Sequence, residues 1–71
     1  MRDIVIWETI ALLNAIAAKI LKLEDDDEID KLLDALDDLR VDFREMMEKR
    51  NENEYFLQLA KKIESLKPLV S

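Results

Sequence analysis

The apolar positions divide the chain into three segments with the spacing of an α-helix. In the second segment, apolar residues recur at alternating intervals of three and four from Ile29 to Met46, which is typical of a helix that packs along one face. The third segment repeats this spacing from Phe56 to Leu66, shifted by one position. The shift predicts a break near residues 50–53, with a single kinked helix as the alternative.

The first segment, from about residue 3 to residue 23, is apolar around much more of its circumference. Its apolar residues span about 220° on a helical wheel, whereas a helix covering one side of a bundle needs little more than about 100°. Two further short helices are not expected to cover such an arc, so a second copy of the chain should cover part of it. The residues expected at this homodimer interface are Ile6, Ile10, Leu13, Ile16, Ala17 and Ile20.

The composition favours helices and a single domain. The 71 residues include no Gly and one Pro, Pro68, so the usual residues of tight hairpin turns are missing. A chain of this length encloses one core at most. The sequence therefore predicts an all-α, three-helix chain in an intertwined or bundled homodimer. The predicted helices are residues 3–23, 26–50 and 52–66, in one domain over 1–67 with a C-terminal tail over 68–71.

Other interpretations of the first segment involve a membrane or a strand. Its length matches a membrane span of about 20 residues, but Glu8 and Lys19 would each cost about 2–3 kcal/mol in the hydrocarbon. Glu8 also argues against a secretory signal, so we expect a cytoplasmic protein without membrane contact. Residues 2–7 are rich in β-branched side chains, and a strand followed by two helices resembles, in loose topology, the ribbon-helix-helix repressors. That resemblance implies a dimeric DNA-binding transcriptional regulator as an alternative.

Charge is distributed unevenly along the chain. The net charge is −6, and residues 23–39 hold nine acidic residues against one basic residue. The acids at residues 24–28 fit helix capping, because Asp is a favoured N-cap and acids stabilise a first helical turn. The remaining acids form either a solvated surface or a docking surface for a basic protein. The residues expected to contact such a partner are Asp30, Asp34, Asp37, Asp38 and Asp42.

The chain lacks the residue types that most catalytic mechanisms need. The chain has no His and no Cys, so the common nucleophile and base pairs cannot form, and without Gly no phosphate-binding loop is expected. We therefore expect no enzyme activity, no metal and no cofactor, and the acidic charge of the chain disfavours nucleic acid as a partner. The sequence favours a small regulatory or inhibitory protein-binding module that acts by macromolecular contact, with a structural assembly subunit as a further alternative.

Overall fold

The protein is an elongated bundle of three helices in a computed structural model, which describes residues 2–71 apart from the side chain of Arg2. The helices are α1 (Arg2–Lys22), α2 (Asp26–Glu48) and α3 (Asn53–Leu66), followed by a short 3-10 helix at Lys67–Leu69. The molecule measures 41 × 17 × 16 Å, and residues 2–71 contain no strand. The prediction of an all-α, three-helix chain is confirmed.

α1 is helical from its first described residue, so the strand considered for residues 2–7 is not formed. The topology on which the loose resemblance to ribbon-helix-helix repressors depends is therefore missing. Thr9 lies fully buried in the middle of the inner face, and its Oγ1 donates a hydrogen bond of 2.8 Å to the carbonyl oxygen of Val5. Because this bond stays within one helix, the hydroxyl needs no partner from α2 or α3.

The turn into α2 is capped as the acidic run predicts. Asp25 is the N-cap, and its side chain accepts a hydrogen bond of 2.9 Å from the backbone N–H of Asp27. Asp26, Asp27 and Glu28 occupy the first turn, where carboxylates interact favourably with the positive end of the helix dipole. This local chemistry accounts for the start of α2 without a ligand.

α2 and α3 are separate helices, as the one-residue shift in apolar spacing predicts. Glu52 is the N-cap of α3 and makes no side-chain capping bond. Lys49 spans the turn instead, because its Nζ donates a hydrogen bond of 3.2 Å to the Tyr55 hydroxyl and lies 4.9 Å from the ring centroid. The hydrogen bond to Tyr55 raises the pKa of Lys49 above its ordinary value.

The core is built from one side of each helix. Ile16, Leu39 and Leu59, one from each helix, are completely buried. On α2 the buried side extends towards Ala35, whereas Leu33 and Met47, on the other flank of the apolar repeat, are exposed. The other buried core residues are Leu12, Leu32, Met46 and Ile63.

The C-terminal segment folds back onto the bundle. Lys67 precedes Pro68, a position that is biased towards extended backbone, but it is helical (φ −51°, ψ −43°) and leads into the 3-10 helix. Its Nζ lies 3.0 Å from a carboxylate oxygen of Glu64 and 3.6 Å from one of Glu8 on α1, and these two carboxylates raise the pKa of Lys67. In the predicted tail over 68–71, the carbonyl oxygen of Leu69 accepts a hydrogen bond from Lys19 of α1, and Val70 packs against the core.

Truncating the centre of the core should destabilise the protein severely. Leu39→Ala should lower the free energy of unfolding by about 3 kcal/mol, because it leaves a cavity where three helices meet. Leu33→Ala, the same change at an exposed position of the same helix, should cost less than about 1 kcal/mol. Chemical denaturation followed by circular dichroism measures both, and equal losses would contradict this placement of the core.

Candidate interaction surfaces

One surface feature is an uncharged strip along the outer side of α1. Its large side chains are Ile4, Trp7, Ile10 and Leu21, which are 58%, 69%, 37% and 87% exposed. With the smaller residues between them, they cover an arc of roughly 140° on the helix. We call this surface the α1 strip. It consists of Ile4, Trp7, Ile10, Ala11, Asn14, Ala17, Ala18 and Leu21, all exposed.

Among the described side chains of α1, the charged ones lie beside the strip or at its ends. Asp3 and Lys22 mark its two ends. Glu8 pairs with Lys67, and the Nζ of Lys19 donates a hydrogen bond to the carbonyl oxygen of Leu69. Both of these inner charges therefore interact with the C-terminal segment of the same chain, and the strip itself holds Asn14 as its one polar side chain.

The structure divides the residues predicted for a dimer interface into three groups. Ile10 and Ala17 lie exposed on the α1 strip, while Ile6, Leu13 and Ile20 are partly buried and pack against the chain's own core. Ile16 is completely buried inside the subunit, so its assignment to an interface is wrong. The strip also exposes Ile4, Trp7 and Leu21, which were not among the predicted interface residues, although the spacing of Ile4, Trp7, Ala11, Asn14, Ala18 and Leu21 by three and four residues marks them as one face of the helix.

A second feature is a row of carboxylates on the outer side of α2, which we call the acidic face and define as Asp30, Asp34, Asp37 and Asp38. All four residues are exposed. Asp37 forms an exposed ion pair with Arg40, with 3.7 Å between Oδ1 and Nη1. Among the described side chains, the other three have no basic partner within ion-pair distance. Such an exposed row interacts mainly with solvent and ions in the isolated subunit.

Asp42 does not belong to this face, contrary to the prediction from sequence. It is 8% exposed, and its Oδ1 accepts a hydrogen bond of 3.0 Å from Nε2 of Gln58 on α3. Its Oδ2 is buried without a hydrogen-bond partner among the described residues. Asp42 is buried because of its position around the helix. It lies two helical turns after Ala35 and one turn before Met46, on the flank of α2 that packs against α3.

Neither surface is arranged for metal binding. Within residues 2–71, no group of three or more Asp and Glu side chains is placed to hold a metal ion. The carboxylates of the acidic face instead follow one another along the helix, with Asp37 and Asp38 adjacent and Asp34 and Asp30 one and two turns before Asp38. The arrangement is suited to repeated contacts with an extended basic surface rather than to chelation.

Comparisons with known proteins found no match: no family model, no curated protein and no solved structure is similar to this chain. The segment Asp3–Lys22 is long and apolar enough to cross a membrane by length and composition alone. Core helices of soluble proteins and signal sequences have the same property. The geometry of the two surfaces is therefore the basis for any functional proposal.

Reversing the charge of Asp42 should destabilise the protein. Asp42→Lys puts a longer charged side chain at a position that is 8% exposed and removes the acceptor of the Gln58 hydrogen bond, so the free energy of unfolding should fall by about 2–3 kcal/mol. Asp38→Lys makes the same charge change on the exposed surface one turn earlier and should change stability by less than about 0.5 kcal/mol. Urea denaturation tests the pair, and equal stabilities of the two variants would contradict the buried position of Asp42.

Proposed function

We propose that the protein is a regulatory or inhibitory binding module that acts as a homodimer and docks a basic protein through its acidic faces. The observation that carries the proposal is that three carboxylates of the acidic face, Asp30, Asp34 and Asp38, have no basic partner within ion-pair distance among the described side chains. The exposed Asp30, Asp34 and Asp38 lie at successive intervals of four residues on one helix, a spacing at which like charges repel. The row lowers the local stability of α2, so a role in binding explains it better than helix stability does.

The spacing of the row suits a basic surface. Residues four apart rise by about 6 Å along a helix, so each helical turn offers a carboxylate to a Lys or Arg of the partner. Arg is the stronger candidate because its guanidinium can donate two parallel hydrogen bonds to one carboxylate. A nucleic-acid-binding protein is one class of partner with such a surface, since a row of carboxylates resembles a row of phosphates.

Apolar residues border the acidic face. Leu33 and Val41 are 42% and 49% exposed on the same outer half of α2. The aliphatic stems of Lys and Arg pack on such residues while their charged ends reach the carboxylates. These apolar contacts add affinity that salt does not screen. The contacts between charges weaken as added salt shortens the Debye length.

A homodimer would present two acidic faces. Each subunit carries one face on α2, while the exposed α1 strip lies on a different helix and is available for self-association. Two faces held together bind a partner with repeated basic sites more tightly than one face, because the second contact becomes intramolecular. In this function the protein inhibits or regulates by occupying the basic surface of its partner.

Reversing the acidic face should abolish binding to a basic probe. Fluorescence anisotropy with a labelled deca-arginine peptide is expected to show at least a tenfold loss of affinity for the triple variant Asp34→Lys, Asp37→Lys and Asp38→Lys. The wild-type affinity should fall steeply as salt is added. The circular dichroism spectrum should stay helical, because all three side chains are exposed.

The matched control reverses three exposed acids near the turn between α2 and α3, as Glu48→Lys, Glu52→Lys and Glu54→Lys. This variant has the same net charge and should retain affinity within about threefold, since its changes lie away from the acidic face. Equal losses in both variants would show that net charge alone governs binding. Tight binding of wild-type protein to labelled duplex DNA would also contradict the proposal.

A further inference from the structure

The α1 strip has the repeat of a coiled-coil contact. Ile4, Trp7, Ala11, Asn14, Ala18 and Leu21 follow one another at intervals of three, four, three, four and three residues, and every one of them is exposed. The large side chains alone leave on the order of 500 Å² of apolar surface in water, as much as the largest patch of an ordinary monomer. A surface of this size and regularity calls for a covering partner.

An antiparallel second copy fits the order of residues along the strip. When two α1 helices cross a two-fold axis between positions 12 and 13, residues whose numbers sum to 25 face each other. Ile4 then meets the partner's Leu21, and Trp7 meets the partner's Ala18. The largest side chain thus lies opposite one of the smallest, which is the size alternation that packs two helices closely. A parallel pair would place Trp7 against the partner's Trp7.

The ends of the strip are complementary in charge in the same arrangement. Asp3 at the beginning of the strip lies beside the partner's Lys22 at its end, and the same contact recurs on the other side of the axis. A parallel arrangement would instead bring Asp3 beside the partner's Asp3 and Lys22 beside the partner's Lys22. Two antiparallel helices also align their dipoles favourably, with each N-terminus near the other's C-terminus.

The acidic segment gives an independent reason for the antiparallel arrangement. Residues 23–39, with nine acids and one base, follow the C-terminal end of α1 and occupy one part of a molecule 41 Å long. A parallel dimer would place two such segments side by side. An antiparallel dimer starts them from opposite ends, so only the stretch around Asp37 and Asp38, at the middle of α2 (Asp26–Glu48), comes level with its counterpart.

We propose that two copies of this chain associate through the α1 strip as an antiparallel dimer with its two-fold axis near Asn14. This inference rests on the proposed function, which requires a homodimer, and it adds the orientation of the subunits, in which the two acidic faces start from opposite ends of the dimer. Asn14 faces the partner's Ala11 and lies close enough to the axis for the two Asn14 amides to interact. A single polar residue of this kind specifies register in coiled coils.

A lipid surface fits the strip less well than a second copy. Helices that lie on membranes carry Lys and Arg along their polar side, whereas this chain has a net charge of −6 and its acids would be repelled by anionic lipids. Asn14 at the centre of the strip would also lose its hydrogen bonds to water in hydrocarbon, while across a dimer axis it gains a matching amide.

Cysteine pairing tests the arrangement directly, because the chain has no Cys of its own. A mixture of Ile4→Cys and Leu21→Cys chains, mildly oxidised, should yield mainly the mixed disulfide. Either variant alone should form little disulfide, since two Ile4 positions lie about 25 Å apart in the antiparallel dimer. Ser65→Cys, an exposed position on α3, is the control for random collision and should give no disulfide above background.

Three outcomes would overturn the proposal. Preferential disulfides between identical chains would show a parallel dimer. Background-level disulfide in every mixture, together with a mass of 8.4 kDa by light scattering, would show a monomer. Co-sedimentation of such a monomer with phosphatidylcholine vesicles would show that lipid, rather than a second copy, covers the strip.

Substitution on the strip distinguishes this proposal from the acidic docking function. Trp7→Glu should halve the mass measured by light scattering and keep the helical circular dichroism spectrum, because Trp7 lies outside the core. Leu57→Glu, at a similarly exposed residue of α3, should remain dimeric. The monomeric Trp7→Glu variant should still bind deca-arginine, and the acidic-face variant should still form the mixed disulfide. A Trp7→Glu variant that remains dimeric would overturn the proposed contact.

Discussion

The structure depends on the apolar circumference of α1, which is wider than the side that α2 and α3 cover. These two helices bury one side of α1 around Ile16, while the α1 strip on the other side stays exposed in the described residues 2–71. The hydrophobic effect favours burial of both sides. In the proposed dimer, association through the α1 strip buries the second side and adds stability to a domain whose core is small.

Among the described side chains of α1, charge is confined to the ends and flanks of this strip, and that separation links the fold to the proposed function. Glu8 and Lys19 interact with the C-terminal segment, through Lys67 and the carbonyl oxygen of Leu69, while Asp3 and Lys22 lie at the two ends of the strip. The excess of carboxylates lies on α2, which turns its acidic face outward. One helix is thus available for self-association and another for a basic partner, so one contact can form without competing with the other.

Periodicity predicted the helices better than it predicted which side of each helix is buried. The spacing of apolar residues predicted three helices, and Asp25 marked the start of α2 correctly. The rotation of each helix about its axis depends on where the two neighbouring helices lie. A helical wheel of one helix does not show the positions of its neighbours. For that reason Ile16 was assigned to an interface although it is buried in the core, and Asp42 was assigned to the solvent although it faces Gln58. The C-terminal turn was likewise missed, because its contacts with α1 join residues far apart in sequence.

The most direct measurement is the fluorescence of Trp7, the one tryptophan of the chain, as the protein is diluted. The side chain is 69% exposed in the single subunit and lies against a second copy in the proposed dimer. Emission should therefore be blue-shifted at high concentration and move to the red on dilution, while the helical circular dichroism signal persists. Emission that is red at every concentration would show that Trp7 stays in water, and would contradict the claim that a second copy covers α1.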